Sequence, residues 1–182
     1  EEQPIARFFV DKLSDGTLQK ALDLIPTDAD LINCSHNDLN NGNILRHHQD
    51  PNTYIFLDLE YSCPNFEVAD IANYMTERIF DYEVDEPPFY RFEGSRMFTD
   101  EKKREFFTSY YSNKPGYTEE DVKDHVEKAM QHYPVMSALV HLVWTIWSLI
   151  LVEPKYETGF HYLHYARDRF EIFQKTLDSF EK

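Results

Sequence analysis

The chain has 182 residues, with 18 basic against 33 acidic side chains, so its formal net charge is −15. This length fits one domain of ordinary size with a substantial core. The acidic balance argues against a nucleic-acid partner, because binding to phosphates relies on clustered Lys and Arg. Only two cysteines are present and no charged-then-apolar leader opens the sequence, so we expect a reduced, cytoplasmic protein.

The first third of the chain is predicted to change from helix to short strands. Apolar spacing over residues 3–25 favours one or two amphipathic helices, with a break at Ser14-Asp15-Gly16. Short β-prone runs then predict three strands, near residues 31–34, 44–46 and 54–57.

The remainder of the sequence is mainly helical in pattern, apart from an irregular loop predicted over 81–100. Helices are predicted over residues 67–82, 101–111, 119–132, 134–152 and 158–180. The longest apolar stretch, Val135 to Val152, is interrupted by polar residues such as Ser137 and His141. It therefore indicates a buried helix rather than a membrane span.

The polar loop after the first predicted strand carries the clearest chemical signal. Asp38 is followed five positions later by Asn43, and Asp58 ends the third strand-like run. Phosphoryl transfer to a hydroxyl needs a group that orients the hydroxyl and oxygen ligands for Mg²⁺, and protein kinases supply them as Asp, Asn and Asp in this order. The spacing thus predicts Asp38 as the base, with Asn43 and Asp58 as metal ligands.

A simpler interpretation of these polar residues is that they cap turns. Asn and Asp are favoured in turns because their side chains bond the nearby backbone. The ordered set with strand-like runs between its members favours the catalytic interpretation. Gly42 is predicted to let the chain turn tightly before Asn43.

A second group of residues, from Asp58 onward, forms a more specific signature. The matching positions are Asp58-Leu59-Glu60-Tyr61, Asn65, Ala69-Asp70-Ile71-Ala72-Asn73 and Glu77. From about residue 31 to its end, the chain resembles the C-terminal lobe of the choline/ethanolamine kinase family. Leu59 and Ala69 depart from the family pattern, which usually has aromatics there, and both replacements are apolar.

The resemblance implies an α+β, mostly α fold: the C-terminal lobe of a protein-kinase-like, aminoglycoside phosphotransferase-like fold. Short strands would carry the catalytic loops beside a helical bundle, in a single lobe over residues 1–182. The sequence has five glycines and none forms the glycine-rich phosphate loop of an N-terminal nucleotide lobe. We therefore expect that lobe to be absent from this chain and the isolated fragment to be inactive.

The resemblance also implies an amine pocket. Quaternary ammonium groups are bound by aromatic faces because they cannot donate hydrogen bonds. Trp144 and Trp147 lie one helical turn apart, as in the family's Trp-x-x-Trp. By the same resemblance, other predicted substrate contacts are Asn40, Tyr61, Tyr82, Phe89 and Tyr165. For any single aromatic residue the alternative role is ordinary core packing. Glu77 would balance the cation.

Three further residues complete the predicted site. By resemblance, Glu60 joins the metal ligands. His36 and Asp70 are expected to brace the catalytic loop through hydrogen bonds rather than to act on substrate, since a kinase base does not need them.

These assignments predict an ATP- and Mg²⁺-dependent kinase that makes phosphocholine for phosphatidylcholine synthesis, with ethanolamine as the alternative acceptor. A homodimer is a conceivable assembly. A non-catalytic amine-binding pseudokinase is the alternative of another class, and the intact Asp38, Asn43 and Asp58 argue against it. An antibiotic phosphotransferase would share the first motif but not the second signature together with Trp144 and Trp147.

Overall fold

The computed structural model describes residues 2–152 and 159–180, and the chain divides into two compact units. Unit 1 comprises Glu1–Thr27, Phe80–Glu93 and Val135–Lys182, and unit 2 comprises Asp28–Ile79 and Gly94–Pro134. The single lobe expected over residues 1–182 stays a prediction.

Unit 2 contains two short antiparallel sheets. Strand β1 (Leu31–Ser35) pairs with β4 (Cys63–Phe66), and β2 (Ile44–Arg46) pairs with β3 (Tyr54–Phe56). Three of these strands confirm the sequence predictions. The fourth, β4, was not predicted because Pro64 interrupts its run, and a proline is tolerated only where the strand needs no ladder donor.

Helix α3 (Glu67–Glu77) follows β4 directly and packs its apolar face inward. Val68, Ile71, Ala72 and Met75 are all buried on that face, as the helical spacing predicted. The predicted helix ran to residue 82 and was too long, because the chain turns into a strand at Phe80.

Two further helices start in unit 2. Helix α4 (Asp100–Ser112) is capped by Thr99, whose hydroxyl accepts the backbone N–H of Lys102 at 3.3 Å. Helix α5 (Glu119–Ile150) runs without interruption through Pro134. The predicted break there was wrong: proline removes one backbone hydrogen bond, but the neighbouring Tyr133 and Val135 are buried and packing keeps the chain helical.

Within the two described ranges, α5 alone is long and apolar enough to cross a membrane by length and composition, and 56% of its most apolar window is buried. Core helices of soluble proteins pass the same test. The interpretation of this segment as a buried helix stays a prediction.

Unit 1 is built from helices and one small hairpin. These elements are α1 (Glu2–Leu13), α2 (Thr17–Asp23), β5 (Phe80–Asp81), β6 (Arg91–Phe92), the end of α5, and α6 (Tyr162–Phe180). Gly16 separates α1 from α2 at φ 86°, which confirms the predicted break. The hairpin β5–β6 begins at Phe80, in the predicted helix 67–82, and its second strand lies in the segment 81–100 that was predicted to be an irregular loop.

An apolar cluster packs the helices of unit 1 together. Its buried members are Phe9, Ala21, Ala138, Leu142, Leu163, Ala166, Phe170, Phe173 and Leu177. Phe9 and Phe170 pack edge to face, with ring centroids 5.7 Å apart. This core fixes α6 against α5, the two helices that carry Trp144, Trp147 and Tyr165.

Candidate active site

The loop that leaves β1 is shaped by its own asparagines. The Asn40 side-chain oxygen accepts the backbone N–H groups of Gly42 and Asn43, at 2.8 and 3.2 Å, and so caps a 3₁₀ turn over Asn41–Asn43. A Cβ at Gly42 would lie 3.1 Å from that oxygen. A residue without a side chain therefore suits this position.

The Asp38 carboxylate is held by two amides. Asn40 Nδ2 donates to its Oδ1 at 3.2 Å, and Asn43 Nδ2 donates to its Oδ2 at 3.0 Å. Partial burial raises the pKa of the Asp38 carboxyl and the charge of Glu77 raises it further, while the two amides act in the opposite direction. The result is a fixed, half-buried carboxylate that is more basic than an ordinary Asp.

The pairing of β2 with β3 brings the backbone next to Asp58 against that of Asn43, the other predicted metal ligand. Leu57 N donates to Asn43 O at 2.9 Å, so the β2–β3 pairing continues to the residue before Asp58. His36 Nε2 donates to Leu57 O at 2.7 Å, and Asp38 N donates to His36 Nδ1 at 3.3 Å. His36 therefore joins the Asp38 loop to the Asp58 strand through both of its ring nitrogens.

Asp58 itself has a left-handed backbone, at φ 58° and ψ 63°, just before a 3₁₀ turn over Leu59–Tyr61. Few residues other than glycine adopt this conformation, although Asp and Asn tolerate it best. Asp58 and Glu60 are both exposed to solvent. The backbone thus turns sharply at the point where two carboxylates follow each other.

The chemistry of these donors fits a magnesium ion. Asn43 uses its Nδ2 to hold Asp38, so its Oδ1 is the atom that could ligate, alongside the carboxylates of Asp58 and Glu60. Mg²⁺ prefers oxygen ligands and is usually held by one or two carboxylates together with substrate phosphates. Among the described residues no group of three or more His, Cys, Asp and Glu side chains could hold a metal, so an all-protein cage is not offered.

Asp70 lies at the base of the catalytic loop. Its two carboxylate oxygens accept the backbone N–H groups of His36 and Asn37, at 2.9 and 2.8 Å. Asn37 stands at φ 65°, in the left-handed region. A charged acceptor on two successive N–H groups holds the backbone in this conformation immediately before Asp38.

Two asparagines that received no role from the sequence also hold this loop. Asn65 Nδ2 donates to Asn37 Oδ1 at 2.7 Å, and the buried Asn73 donates to Leu39 O at 3.2 Å. Both belong to the second signature, so the motif itself was the available signal. Tyr61 contributes its backbone oxygen, which accepts from Asn37 Nδ2 at 2.9 Å.

The aromatic residues of unit 1 form a continuous series of ring contacts. Trp144 meets Trp147 edge to face at 5.3 Å, and Trp147 meets Tyr162 at 5.8 Å. The series continues through Phe160 to Tyr165, at 4.9 and 5.4 Å. Such a group of rings offers several π faces to a cation.

Tyr82 and Phe89 lie in the hairpin segment of unit 1. The hydroxyls of Tyr82 and Tyr165 are 2.6 Å apart. The Phe89 ring lies 3.0 Å from where a Cβ at Gly159 would stand, and Gly159 has φ 75°. Glycine at this point lets the backbone pass closely over the ring.

Arg169 and His141 were not predicted, yet both are fully buried in unit 1. Arg169 donates to His141 Nδ1 at 3.2 Å and covers the Phe80 ring, with the guanidinium carbon 3.9 Å from the ring centroid. Burial lowers the pKa of His141 well below its usual value, and the Arg169 charge adds to this. An arginine on the apolar face of α6, four residues after Tyr165, was the signal in the sequence.

The predicted site residues divide between the two units. Unit 2 contains His36, Asp38, Asn40, Asn43, Asp58, Glu60, Tyr61, Asp70 and Glu77, and unit 1 contains Tyr82, Phe89, Trp144, Trp147 and Tyr165. Within unit 2 the loop, the strand ends and Asp70 are joined by the hydrogen bonds above. The roles of these residues in catalysis and binding stay predictions.

Comparison with known proteins identifies the family of this chain. The family profile described as choline/ethanolamine kinase matches residues 10–174. A protein of Arabidopsis thaliana named "Probable choline kinase 2" is 32% identical over 97% of this chain and 47% of its own length. The human choline/ethanolamine kinase is 31% identical over 87% of this chain and 40% of its own.

A crystal structure of choline kinase from Cryptosporidium parvum superposes with a TM-score of 0.68 at 27% identity, over 82% of this chain and 39% of that one. The chain thus spans less than half the length of each of these relatives. The predicted protein-kinase-like, mostly α fold class is confirmed. The chain belongs to the choline/ethanolamine kinase family.

Proposed function

We propose that the protein carrying this chain transfers a phosphoryl group from ATP to the hydroxyl of choline and so makes phosphocholine. The observation that carries the proposal is the Asp38 carboxylate, held by Asn40 and Asn43 at the end of β1. A carboxylate fixed in this way can orient a hydroxyl and accept its proton as the oxygen attacks phosphorus.

The raised pKa of Asp38 supports the same role. A more basic carboxylate accepts a proton more readily in the transition state, provided that it is ionised at the working pH. His36 bonds to Leu57 O and to the backbone N–H of Asp38, so it holds the loop, and the proton transfer falls to Asp38. Asp70 keeps the preceding backbone in place.

Magnesium is the metal that the oxygen donors favour. Asn43 Oδ1 and the carboxylates of Asp58 and Glu60 would hold it, and when bound it would neutralise charge on the nucleotide phosphates. The exposure of Asp58 and Glu60 suits ligands that share an ion with a substrate from solution.

The rings of unit 1 support an ammonium substrate. Trp144 and Trp147 would offer aromatic faces, and the buried Tyr165 belongs to the same series of rings. Each cation–π contact contributes about 0.5–2 kcal/mol depending on desolvation. Ethanolamine is the nearest alternative acceptor, because the buried Glu77 carboxylate beside Asp38 could receive its N–H groups. A non-catalytic amine-binding module would need the rings but not the Asp38 arrangement.

Several wider expectations belong to this proposal. Phosphocholine formation would serve phosphatidylcholine synthesis in the cytoplasm, and the two free cysteines, Cys34 and Cys63, suit a reducing compartment. A homodimer is an expectation that light scattering of the purified protein would test.

The deciding experiment measures product formation by the full-length protein with choline and ethanolamine side by side. Phosphorus NMR would follow ATP consumption and phosphoester formation with and without Mg²⁺. We expect phosphocholine to form only with Mg²⁺, and Asp38→Asn to abolish it. Binding of either amine without any turnover would favour the non-catalytic module instead.

A further inference from the structure

The buried Arg169 links three elements of unit 1. From α6, one of its nitrogens donates to His141 Nδ1 on α5 at 3.2 Å. A second nitrogen, Nη2, donates to the Tyr82 hydroxyl just after β5 at 3.1 Å and to the Tyr165 hydroxyl one turn earlier on α6. A planar guanidinium with several fixed donors can make these bonds together, which a flexible ammonium cannot.

The two tyrosine hydroxyls also bond to each other, at 2.6 Å. The pair of oxygens has four lone pairs in all. Two accept from Arg169 and one accepts the hydroxyl hydrogen of the neighbouring tyrosine, so at most one lone pair remains for a ligand. Both hydroxyls lie beside the fixed positive charge of Arg169.

The guanidinium also occupies ring faces. Its carbon lies 3.9 Å from the centroid of Phe80 and 4.9 Å from that of Tyr165. Those faces are covered by the protein's own cation. A ligand cation in unit 1 would have to use other ring surfaces, which Arg169 holds in place through the tyrosine hydroxyls.

We propose that Arg169 is a positioning residue that favours a quaternary over a primary ammonium, by fixing Tyr82 and Tyr165 and by occupying the acceptor capacity of their hydroxyls. The inference rests on the proposed function. A trimethylammonium group needs ring faces and no hydrogen-bond acceptors, so the occupied hydroxyls cost it little binding affinity. A primary ammonium has three N–H donors and finds at most one lone pair on this hydroxyl pair.

The test compares dissociation constants for choline and ethanolamine, by calorimetry on the full-length protein. Arg169→Lys keeps the positive charge but loses the planar set of guanidinium N–H donors. We expect the preference for choline over ethanolamine to fall about tenfold, the usual effect of one or two lost hydrogen bonds. Tyr82→Phe frees no acceptor but removes the hydroxyl through which Arg169 fixes this ring, so choline should lose affinity and the preference should fall about threefold. Tyr82 is partly exposed, so this variant decides the matter if Arg169→Lys does not fold.

Tyr90→Phe is the matched control. Its hydroxyl donates to Asp168 at 2.8 Å and its ring meets Tyr165, so it loses a hydroxyl bond in the same unit without touching the Arg169 nitrogens. It should lower the melting temperature and leave the preference unchanged.

The inference is overturned if Arg169→Lys and Tyr82→Phe weaken both amines by the same factor or leave the preference unchanged. A wild-type preference for ethanolamine would overturn it as well. If the wild-type protein binds neither amine, the proposed function itself fails. Choline binding with an unaltered preference in the variants removes only the role of Arg169.

Discussion

The side-chain amide of Asn43 donates to Asp38 twice, to its backbone oxygen at 2.9 Å and to its carboxylate at 3.0 Å. The residue predicted as a metal ligand therefore also fixes the predicted base. The two roles use different atoms of the planar amide: Nδ2 donates to Asp38, and Oδ1 is the atom predicted to bind the metal. Metal and base would share one rigid support.

Asp38→Asn in the full-length protein should lower kcat by at least about a hundredfold, the usual contribution of a general base. The amide has the size of the carboxylate but cannot accept the substrate proton. Asp124→Asn, on the exposed surface of α5, is the control and should keep full activity. Near-normal kcat in a folded Asp38→Asn protein would remove Asp38 from the mechanism.

Asn43→Ala and Asp58→Asn should each raise the Mg²⁺ concentration needed for half-maximal activity by at least about tenfold, since even outer partners of metal ligands matter this much. Asn is chosen at position 58 because it tolerates the left-handed backbone. Asn52→Ala, in the exposed turn between β2 and β3, is the control. An unchanged Mg²⁺ titration would take that residue out of the metal site.

Trp144→Ala or Trp147→Ala should raise KM for choline by about five- to thirtyfold, or 1–2 kcal/mol for one ring, with a smaller effect on kcat and on KM for ATP. Ethanolamine should suffer less, because its N–H groups can bond to carboxylate or water. Phe180→Ala, at the exposed end of α6, is the control. Equal penalties for both amines together with a lowered melting temperature would return these rings to the core.

A buried ion pair at the start of α3 is expected to stabilise unit 2. The Glu67 carboxylate accepts from the hydroxyls of Tyr110 and Tyr111 at 2.9 and 3.1 Å and pairs with the Lys114 ammonium. Lys114→Met should lower the free energy of unfolding by about 3 kcal/mol, because it leaves a buried carboxylate without its counter-charge.

Lys102→Met is the matched control for this ion pair. Lys102 pairs with Glu105 on the exposed surface of α4, where both side chains are more than half exposed. Water screens such a pair, so we expect no measurable change in stability. Similar urea midpoints for the two variants would show that the Glu67–Lys114 pair adds no stability.

His141 should make the stability of the protein depend on pH. Its pKa is lowered in the folded state from an ordinary value of 6.5, so the unfolded chain binds the proton more readily. The contribution of His141 to the free energy of unfolding is therefore fully present above pH 6.5 and decreases as the pH falls below that value. His141→Gln should flatten the melting temperature between pH 7 and pH 5, and an unaltered slope would mean that His141 is not the cause.

The sequence predicted the local structure around Asp38 well because its signals are local. The strand runs, the capping asparagines and the order of Asp38, Asn43 and Asp58 all lie within about thirty residues of each other. The contacts that hold the loop were harder to foresee. Asp70 bonds backbone groups that lie 33 and 34 positions earlier, and such distances appear only once β1, β4 and α3 have packed.

The unit 1 network was missed for a related reason. Arg169 and Tyr82 are separated by 87 positions. The buried face of a helix is predicted from its apolar residues, so an arginine on that face is not expected to be buried. The hairpin β5–β6 was missed because two-residue strands carry almost no periodicity. The continuous α5 was missed because proline weakens a helix without always ending it.

The left-handed backbone at Asp58 has a consequence for how this position can change over evolution. Any side chain placed there must accept φ near 58°, so branched residues are disfavoured whatever the chemistry requires. Glycine and asparagine are the replacements that the turn accepts with least strain. If the proposed ion-binding role of Asp58 were lost in a relative, we would therefore expect Gly or Asn to replace it first at this position.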